Sequence, residues 1–253
     1  MLVLERLFDE LRRANLTARP SKCDLCFTKV DFLGHVVGKG LHPQEEKIKC
    51  IAEAPVPKNK KQVRSFLGMI GYYAKFIPHF AVRAACLSDL TKKKMPNSVK
   101  WQECHQRAFD GLKFAITHPP VLRLPNFCLD FVVQTDASDV GIGGVLLQEE
   151  EGFRQPIAYA SRKLRAAERN YSVIEKECLS VVWAVKKFHR YLYGRAFDLK
   201  VDHKPLQYLK RAKNLSARLM RWALSLQSYS FRVKAIPGKE NVCADYLSRL
   251  YNE

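Results

Sequence analysis

Apolar residues recur at helical spacing from Leu2 to Asn15 (Leu4, Leu7, Phe8, Leu11), with charged residues between them, and predict an amphipathic helix. The rhythm then changes. "KVDFLGHVVGKGLHP" predicts two short strands around Gly34 and a turn that ends at Pro43. A helix from about Gln44 to Ala54 stops at "APVPKNKK", whose two prolines mark a boundary. "QVRSFLGMIGYYAKFIPHF" is helical up to Pro78 and dense in aromatics, "TKKKMPNS" is a charged linker, and "WQECHQRAFDGLKFAI" is another amphipathic helix, closed by "THPP". Beyond Pro125 the order becomes strand, strand, strand, helix, strand, helix, strand, helix. That order is α/β, with an antiparallel opening and a crossover. No internal repeat interrupts it.

Composition changes the picture in one respect. The 253 residues are 47% hydrophobic and 27% charged, an ordinary globular balance, but the formal net charge is +18. Such an excess repels itself and is expected to meet a polyanion, nucleic acid before an anionic membrane. No apolar run approaches the ~20 residues of a membrane span, and the first helix is too acidic and too interrupted for a signal peptide. The eight cysteines are then expected to be reduced thiols of an intracellular protein, cytoplasmic or nuclear. Cys23 and Cys26 form one CxxC, with His35 and His42 downstream. Zinc sites usually show a second tight pair, so core thiols are favoured over structural zinc.

Candidate chemistry lies in the C-terminal half. In "FVVQTDASDVGIGGVLLQ" an acid, Asp136, falls late in a strand, where an unpaired charge costs several kcal/mol if buried. A hairpin whose Asp and Ser bond nearby backbone would explain it locally. Three further acids repeat the theme on separate elements. Glu177 lies on the helix of "NYSVIEKECLSVVWAVKKFHRYL", Asp202 follows the strand "FDLKV", and Asp245 opens the last helix in "PGKENVCADYLSRL". Carboxylates that converge from separate elements repel one another unless cations sit between them, and hard oxygen ligands suit Mg²⁺. Singly, each acid has an ordinary explanation. Helical period alone does not choose between Glu175 and Glu177, which flank the apolar stripe on opposite margins, and Asp245 suits the positive end of a helix.

The blocks "QTDASDVGIGGVLLQ", "PIAYASRKL", "NYSVIEKECLSVVWAVKKFHRYLYG", "VDHKPLQYL" and "IPGKENVCADYLSR" closely resemble the ribonuclease H domain of Ty3/gypsy-type retrotransposon reverse transcriptases. Upstream, "PSKCDLCFTKVDFLGHVVGKGLHP", "PKNKKQVRSFLGMIGYYAKFIPHF" and "ECHQRAFDGLKFAITHPPVLRLPNF" resemble the end of the palm, the thumb and the connecting segment of the same polyprotein. The resemblance implies three parts: 1–54 the end of the palm, 55–125 the thumb and connection, and 126–253 an RNase H-like domain, a five-stranded mixed sheet with flanking helices after a mainly helical remnant. It implies a catalytic and metal-binding quartet of Asp136, Glu177, Asp202 and Asp245, with Glu177 rather than Glu175 as the ligand. Two Mg²⁺ ions, replaceable by Mn²⁺, and hydrolysis of the RNA strand of RNA–DNA hybrids follow from it. Val201 stands where the family often has Thr, and the loop before Asp245 carries no histidine.

The resemblance also implies an absence. The Tyr-x-Asp-Asp hairpin that holds polymerase metals has no counterpart here, so the chain alone is not expected to extend a primer. Other parts of the reverse transcriptase and integrase polyprotein are implied as partners, with no indication of oligomeric state. The rival readings are a non-catalytic nucleic-acid-binding module, domesticated or decaying, and a polymerase part that works in trans. Expected nucleic-acid contacts are Lys58, Lys60, Lys61 and Arg64 at the start of the thumb helix, Ser138 beside Asp136, and Lys186, Lys187 and Arg190 at the end of the catalytic helix. Phe66, Tyr72 and Phe76 are expected in the core. Gly141, Gly143 and Gly144 are expected to let a sugar–phosphate backbone approach.

Overall fold

The computed structural model describes residues 2–23, 25–201 and 217–235. Two packed units share one chain, each with its own hydrophobic core. The first begins with helix α1 (Leu2–Arg13) and a four-stranded antiparallel sheet in the order β1 (Val30–Phe32), β2 (His35–Val37), β3 (Gly40–Pro43) and β4 (Leu122–Arg123). The stretch expected to be a turn before Pro43 is therefore a third strand. Its partner explains the difference: Gly40 and Leu41 pair with Arg123 and Leu122, some eighty residues on, which no local pattern encodes.

Helices α2 (Glu45–Ala52), α3 (Lys60–Tyr72), α4 (Phe80–Arg83), α5 (Ala85–Leu90) and α6 (Glu103–Thr117) complete this unit. Asn59 caps α3 by accepting from the Gln62 N–H at 2.9 Å, which satisfies one of the orphan donors of the first turn. Val63, Phe66 and Ile70 then fall on one face and are buried against Phe109, Leu112 and Ile116 of α6. The helix ends at Tyr72, short of Pro78, and a 3₁₀ turn (Ala74–Phe76) carries the chain on. Phe66 and Phe76 are core residues as expected. Tyr72 is not: it is 53% exposed, and its hydroxyl donates to the Leu33 carbonyl. The cysteines also depart from the core reading. Cys23, Cys26, Cys50, Cys104 and Cys128 are exposed, and among the described residues only Cys178 is a buried thiol.

The second unit is a five-stranded mixed sheet in the order β7-β6-β5-β8-β9, made of β5 (Phe131–Ala137), β6 (Gly141–Glu150), β7 (Phe153–Lys163), β8 (Ala196–Val201) and β9 (Ser230–Ala235). The first three strands are antiparallel, whereas β5–β8 and β8–β9 are parallel. Helices α7 (Ala166–Arg169), α8 (Val173–Lys187) and α9 (His189–Leu192) cross from β7 to β8, and α10 (Ala217–Leu226) precedes β9. This is the RNase H-like α/β architecture.

A capping box starts α8. Ser172 accepts from the Glu175 N–H at 3.3 Å, and Glu175 accepts from the Ser172 N–H at 3.1 Å. Cys178, Val181 and Val185 then face Phe131, Val133 and Leu146 across the sheet. The helix lies close because Gly144 has no side chain: a Cβ there would sit 3.0 Å from Ala184 Cβ.

The two units meet along β7. The Ser161 hydroxyl accepts from the Ala81 N–H at 2.9 Å. Lys163 Nζ donates to the Ala85 carbonyl at 3.1 Å and to Asp89 at 2.8 Å. Burial pulls the Asp89 carboxyl up, but hydrogen bonds from Lys163 and Lys92 outweigh it and hold the group below the usual range. Short helices α4 and α5 are thereby seated on the strand that borders β6, next to Asp136.

Candidate active site

Asp136 is the penultimate residue of β5. Parallel pairing between β5 and β8 runs through Gln134↔Lys200, two residues before the acid. To one side β5 pairs antiparallel with β6, to the other parallel with β8, whose described residues run to Val201, directly before Asp202 in sequence. The carboxyl ends of strands at such a change of direction form a crevice that ligands enter in α/β sheets. Asp136 is half-buried there, paired across the ladder with Gly143. A small pocket on this face is lined by His79, Gln134, Thr135, Asp136, Gly143 and Tyr159.

Glu177 occupies the second turn of α8 and is also half-buried. Its neighbour Lys176 reaches from the helix to Asp139, Nζ to Oδ1 at 2.6 Å. That ion pair ties the first turns of α8 to the β5–β6 hairpin, so the turn bearing Glu177 stands beside the turn that follows Asp136. The Lys176 hydrogen bond holds the Asp139 carboxyl below its ordinary value. Burial pushes the Cys178 thiol up to about 12, with Glu177 and Glu175 adding to the shift, so Cys178 is a neutral core group and no nucleophile. Asp202 and Asp245 lie outside the described residues. Among the described residues no group of three His, Cys, Asp or Glu side chains is placed to hold a metal ion.

Glu175 has a different job from its neighbour. Besides closing the capping box it accepts from Arg218 Nη1 at 2.8 Å, and the Arg218 guanidinium lies 3.9 Å from the Tyr171 ring centroid. The carboxylate that helical period leaves as a solvated margin is therefore a joint between α8 and α10.

The expected nucleic-acid contacts divide into two groups. Lys58, Lys61 and Arg64 are exposed at the start of α3, and Lys186, Lys187 and Arg190 are exposed at the end of α8 and on α9. Three of the eight also serve the fold. Lys60 Nζ donates to the Met95 carbonyl at 2.6 Å, and Arg64 Nη2 to the Thr91 carbonyl at 3.1 Å, which pins the 91–95 loop over α3. The Ser138 hydroxyl donates to the Gly141 carbonyl and accepts from the Gly141 N–H, each at 3.1 Å, closing the hairpin.

The glycines do not leave a path for a sugar–phosphate backbone, as the sequence had suggested. Space beside Gly141 is taken by Val82 and the Arg162 carbonyl, beside Gly143 by His79, and beside Gly144 by Ala184. Their lack of side chains serves close packing within the protein. His79, Gln134 and Tyr159 were not among the sequence candidates. The one signal for His79 is a histidine directly after Pro78, where an aromatic helix must turn.

Comparison with known proteins bears on this geometry. The family described as "RNase H-like domain found in reverse transcriptase" matches residues 126–229. Over 98% of its length the chain is 42% identical to the Retrovirus-related Pol polyprotein from transposon 297 of Drosophila melanogaster, and it covers 23% of that protein. It is 35% identical to the Transposon Tf2-3 polyprotein of Schizosaccharomyces pombe, also over 98% of its length and covering 19% of that protein. The chain thus spans about a quarter or less of these curated relatives. Among solved structures, it is similar to the foamy viral protease-reverse transcriptase in complex with an RNA/DNA hybrid. There the TM-score is 0.75 at 24% identity, over 92% of this chain and 32% of that one. The same enzyme in complex with dsDNA gives a TM-score of 0.74 at 25% identity, over 93% of this chain and 51% of that one.

Proposed function

The chain belongs to the Ty3/gypsy-type retrotransposon reverse transcriptases, corresponding to their C-terminal part with its RNase H-like domain, and from that premise we propose that it hydrolyses the RNA strand of RNA–DNA hybrids. The observation that carries the reading is the position of Asp136. An acid stands half-buried at the carboxyl end of the central strand β5, and α8 presents a second acid, Glu177, from the turn tied to the same hairpin. Asp202 and Asp245 complete the set in sequence.

The donor chemistry fits a hard divalent cation: the candidates are all carboxylates, with no thiolate or imidazole among them. Asp136, Glu177, Asp202 and Asp245 would hold Mg²⁺, or Mn²⁺ in its place. When bound, two such ions lower the pKa of a water and neutralise charge on the phosphodiester and the departing 3′ oxygen. The chain's own residues do the rest. The ladder pair with Gly143 fixes the Asp136 backbone at the end of β5. The Lys176–Asp139 pair holds the Glu177 turn in place without placing a cation in the crevice itself. The net charge of +18 raises the local concentration of a polyanionic duplex, and exposed Lys58, Lys61, Lys186, Lys187 and Arg190 are the proposed phosphate contacts. The foamy viral relative bound to an RNA/DNA hybrid supports the choice of substrate. Primer extension is not proposed for this chain alone, because the candidate acids for polymerase metals are absent from it.

The test is cleavage of a 5′-labelled RNA in four settings: hybridised to DNA, hybridised to RNA, single-stranded, and in a hybrid with chelator. Cleavage confined to the metal-containing hybrid supports the proposal. A folded protein that binds all duplexes alike and cuts none would favour the binding-module reading.

A further inference from the structure

One wall of the Asp136 pocket comes from the other unit. His79 precedes α4 in the left-handed region (φ 52°, ψ 31°), which non-glycine residues seldom adopt and which histidine, asparagine and aspartate adopt more often than most. Its backbone is held from three sides. The His79 carbonyl accepts from Val82 N–H at 2.9 Å and from Arg83 N–H at 3.1 Å, and Ala81 N–H is tied to Ser161 of β7. The anchored backbone directs the side chain, which stands over Gly143. The point a Gly143 Cβ would occupy is 3.0 Å from His79 Nδ1 and 3.2 Å from Cε1. Gly143 is the direct ladder partner of Asp136, and such partners have Cβ positions about 5 Å apart on one face, which puts the imidazole within about 8 Å of the Asp136 Cβ. Any side chain on residue 143 would displace the ring. Flanking residues of the same segment, Phe76, Ile77 and Ala84, are core residues, whereas His79 is half-exposed and lines the pocket with Gln134, Asp136 and Tyr159. The room there for water is about 20 Å³, enough for one molecule and open to a ligand group.

We propose that His79 is a substrate-positioning residue of the Asp136 site, supplied by the upstream unit, whose ring nitrogen contacts the sugar–phosphate backbone of the RNA strand beside the scissile phosphate. This rests on the hydrolytic reading above. It makes the upstream unit part of the active site rather than an accessory for affinity.

The experiment compares His79→Gly with His79→Asn in the full chain. Both accept the left-handed backbone, but only asparagine keeps a hydrogen-bonding side chain. Cleavage of labelled hybrid gives kcat and KM, hybrid affinity is read by fluorescence anisotropy in EDTA, and melting temperature controls for folding. His79→Gly is expected to lose about tenfold in kcat/KM and several-fold in metal-free affinity, the size of one charge-assisted hydrogen bond, at an unaltered melting temperature. His79→Asn should recover most of both losses. Equal behaviour of the two variants, or losses that follow melting temperature, would overturn the assignment and leave His79 a packing residue. If the wild type binds hybrid without cutting it, the hydrolytic reading falls, and the affinity arm still decides the contact.

Discussion

Gly144→Ala probes how α8, and Glu177 with it, is seated on the sheet. The added Cβ would lie 3.0 Å from Ala184 Cβ, with Gln134 O at 3.5 Å and Phe188 Cε2 at 3.6 Å. The last two are ordinary contacts; the first is not. That approach is tighter than ordinary carbon–carbon contact, so α8 must give by a few tenths of an ångström along a face that buries Cys178, Val181 and Val185. Overpacking of this kind costs about 1–3 kcal/mol, and the reduced freedom of the unfolded chain returns about 0.4–1 kcal/mol. The net expectation is a loss of about 1–2 kcal/mol. Gly68→Ala is the control: Gly68 is exposed in α3, nothing lies within 4 Å of its added Cβ, and a gain of about 0.5–1 kcal/mol is expected. Urea unfolding followed by tryptophan fluorescence suits both, since Trp183 and Trp222 pack on the downstream core and Trp101 on the upstream one. A Gly144→Ala protein as stable as the wild type, with Gly68→Ala behaving as stated, would refute the close seating of α8.

The remaining predictions concern polar joints. Arg162 grips Glu168 through two bonds of 2.6 and 3.0 Å, so Glu168→Gln should cost about 2 kcal/mol at pH 7, less than a fully buried pair because Arg162 keeps 26% exposure. Burial raises the Glu168 pKa, but Arg162 and the Arg165 N–H overcome it and leave the pKa lowered; its stabilisation is therefore complete above the unfolded value of about 4.3 and lost as pH falls through the lower folded value. Acid titration of the melting temperature should show that component in the wild type and not in Glu168→Gln. Gln148 is fully buried and serves Asn126 N–H, Asn126 O and Leu129 O, so Gln148→Leu should destabilise by about 2–4 kcal/mol in urea unfolding. Glu175→Gln should lose about 0.5–1 kcal/mol by weakening the cap and the Arg218 pair, with turnover per folded molecule falling far less than for Glu177→Gln.

Local physics made much of this chain legible. The helical stripes of α3, α6 and α8 and the continuous apolar runs of β5 and β6 carry their own signals, so the element order and the acid on the central strand could be read directly. What escaped depends on partners far along the chain. Strand β3 exists because Leu122 and Arg123 pair with it, and a two-residue strand such as β4 has too short a pattern to announce itself. Glu175 looked solvated because Arg218, its partner, lies on another helix. Lys60 and Arg64 looked like a phosphate-binding run because the carbonyls they hold belong to a charged loop about 30 residues away. His79 was invisible as a site residue: its position over Gly143 is fixed only by the docking of α4 on β7.

The central claim is that Asp136 and Glu177 belong to one hydrolytic site. Its most direct test is a labelled RNA–DNA hybrid incubated in Mg²⁺ with wild type, Asp136→Asn and Glu177→Gln, with hybrid binding measured in parallel in EDTA. The wild type should cleave the hybrid, both variants should fall by about a hundredfold or more, and binding should be retained or strengthened as repulsion against phosphate is relieved. Binding should weaken steeply with salt in all three proteins. An Asp136→Asn protein that cuts as fast as the wild type would show that Asp136 is no part of the hydrolytic site.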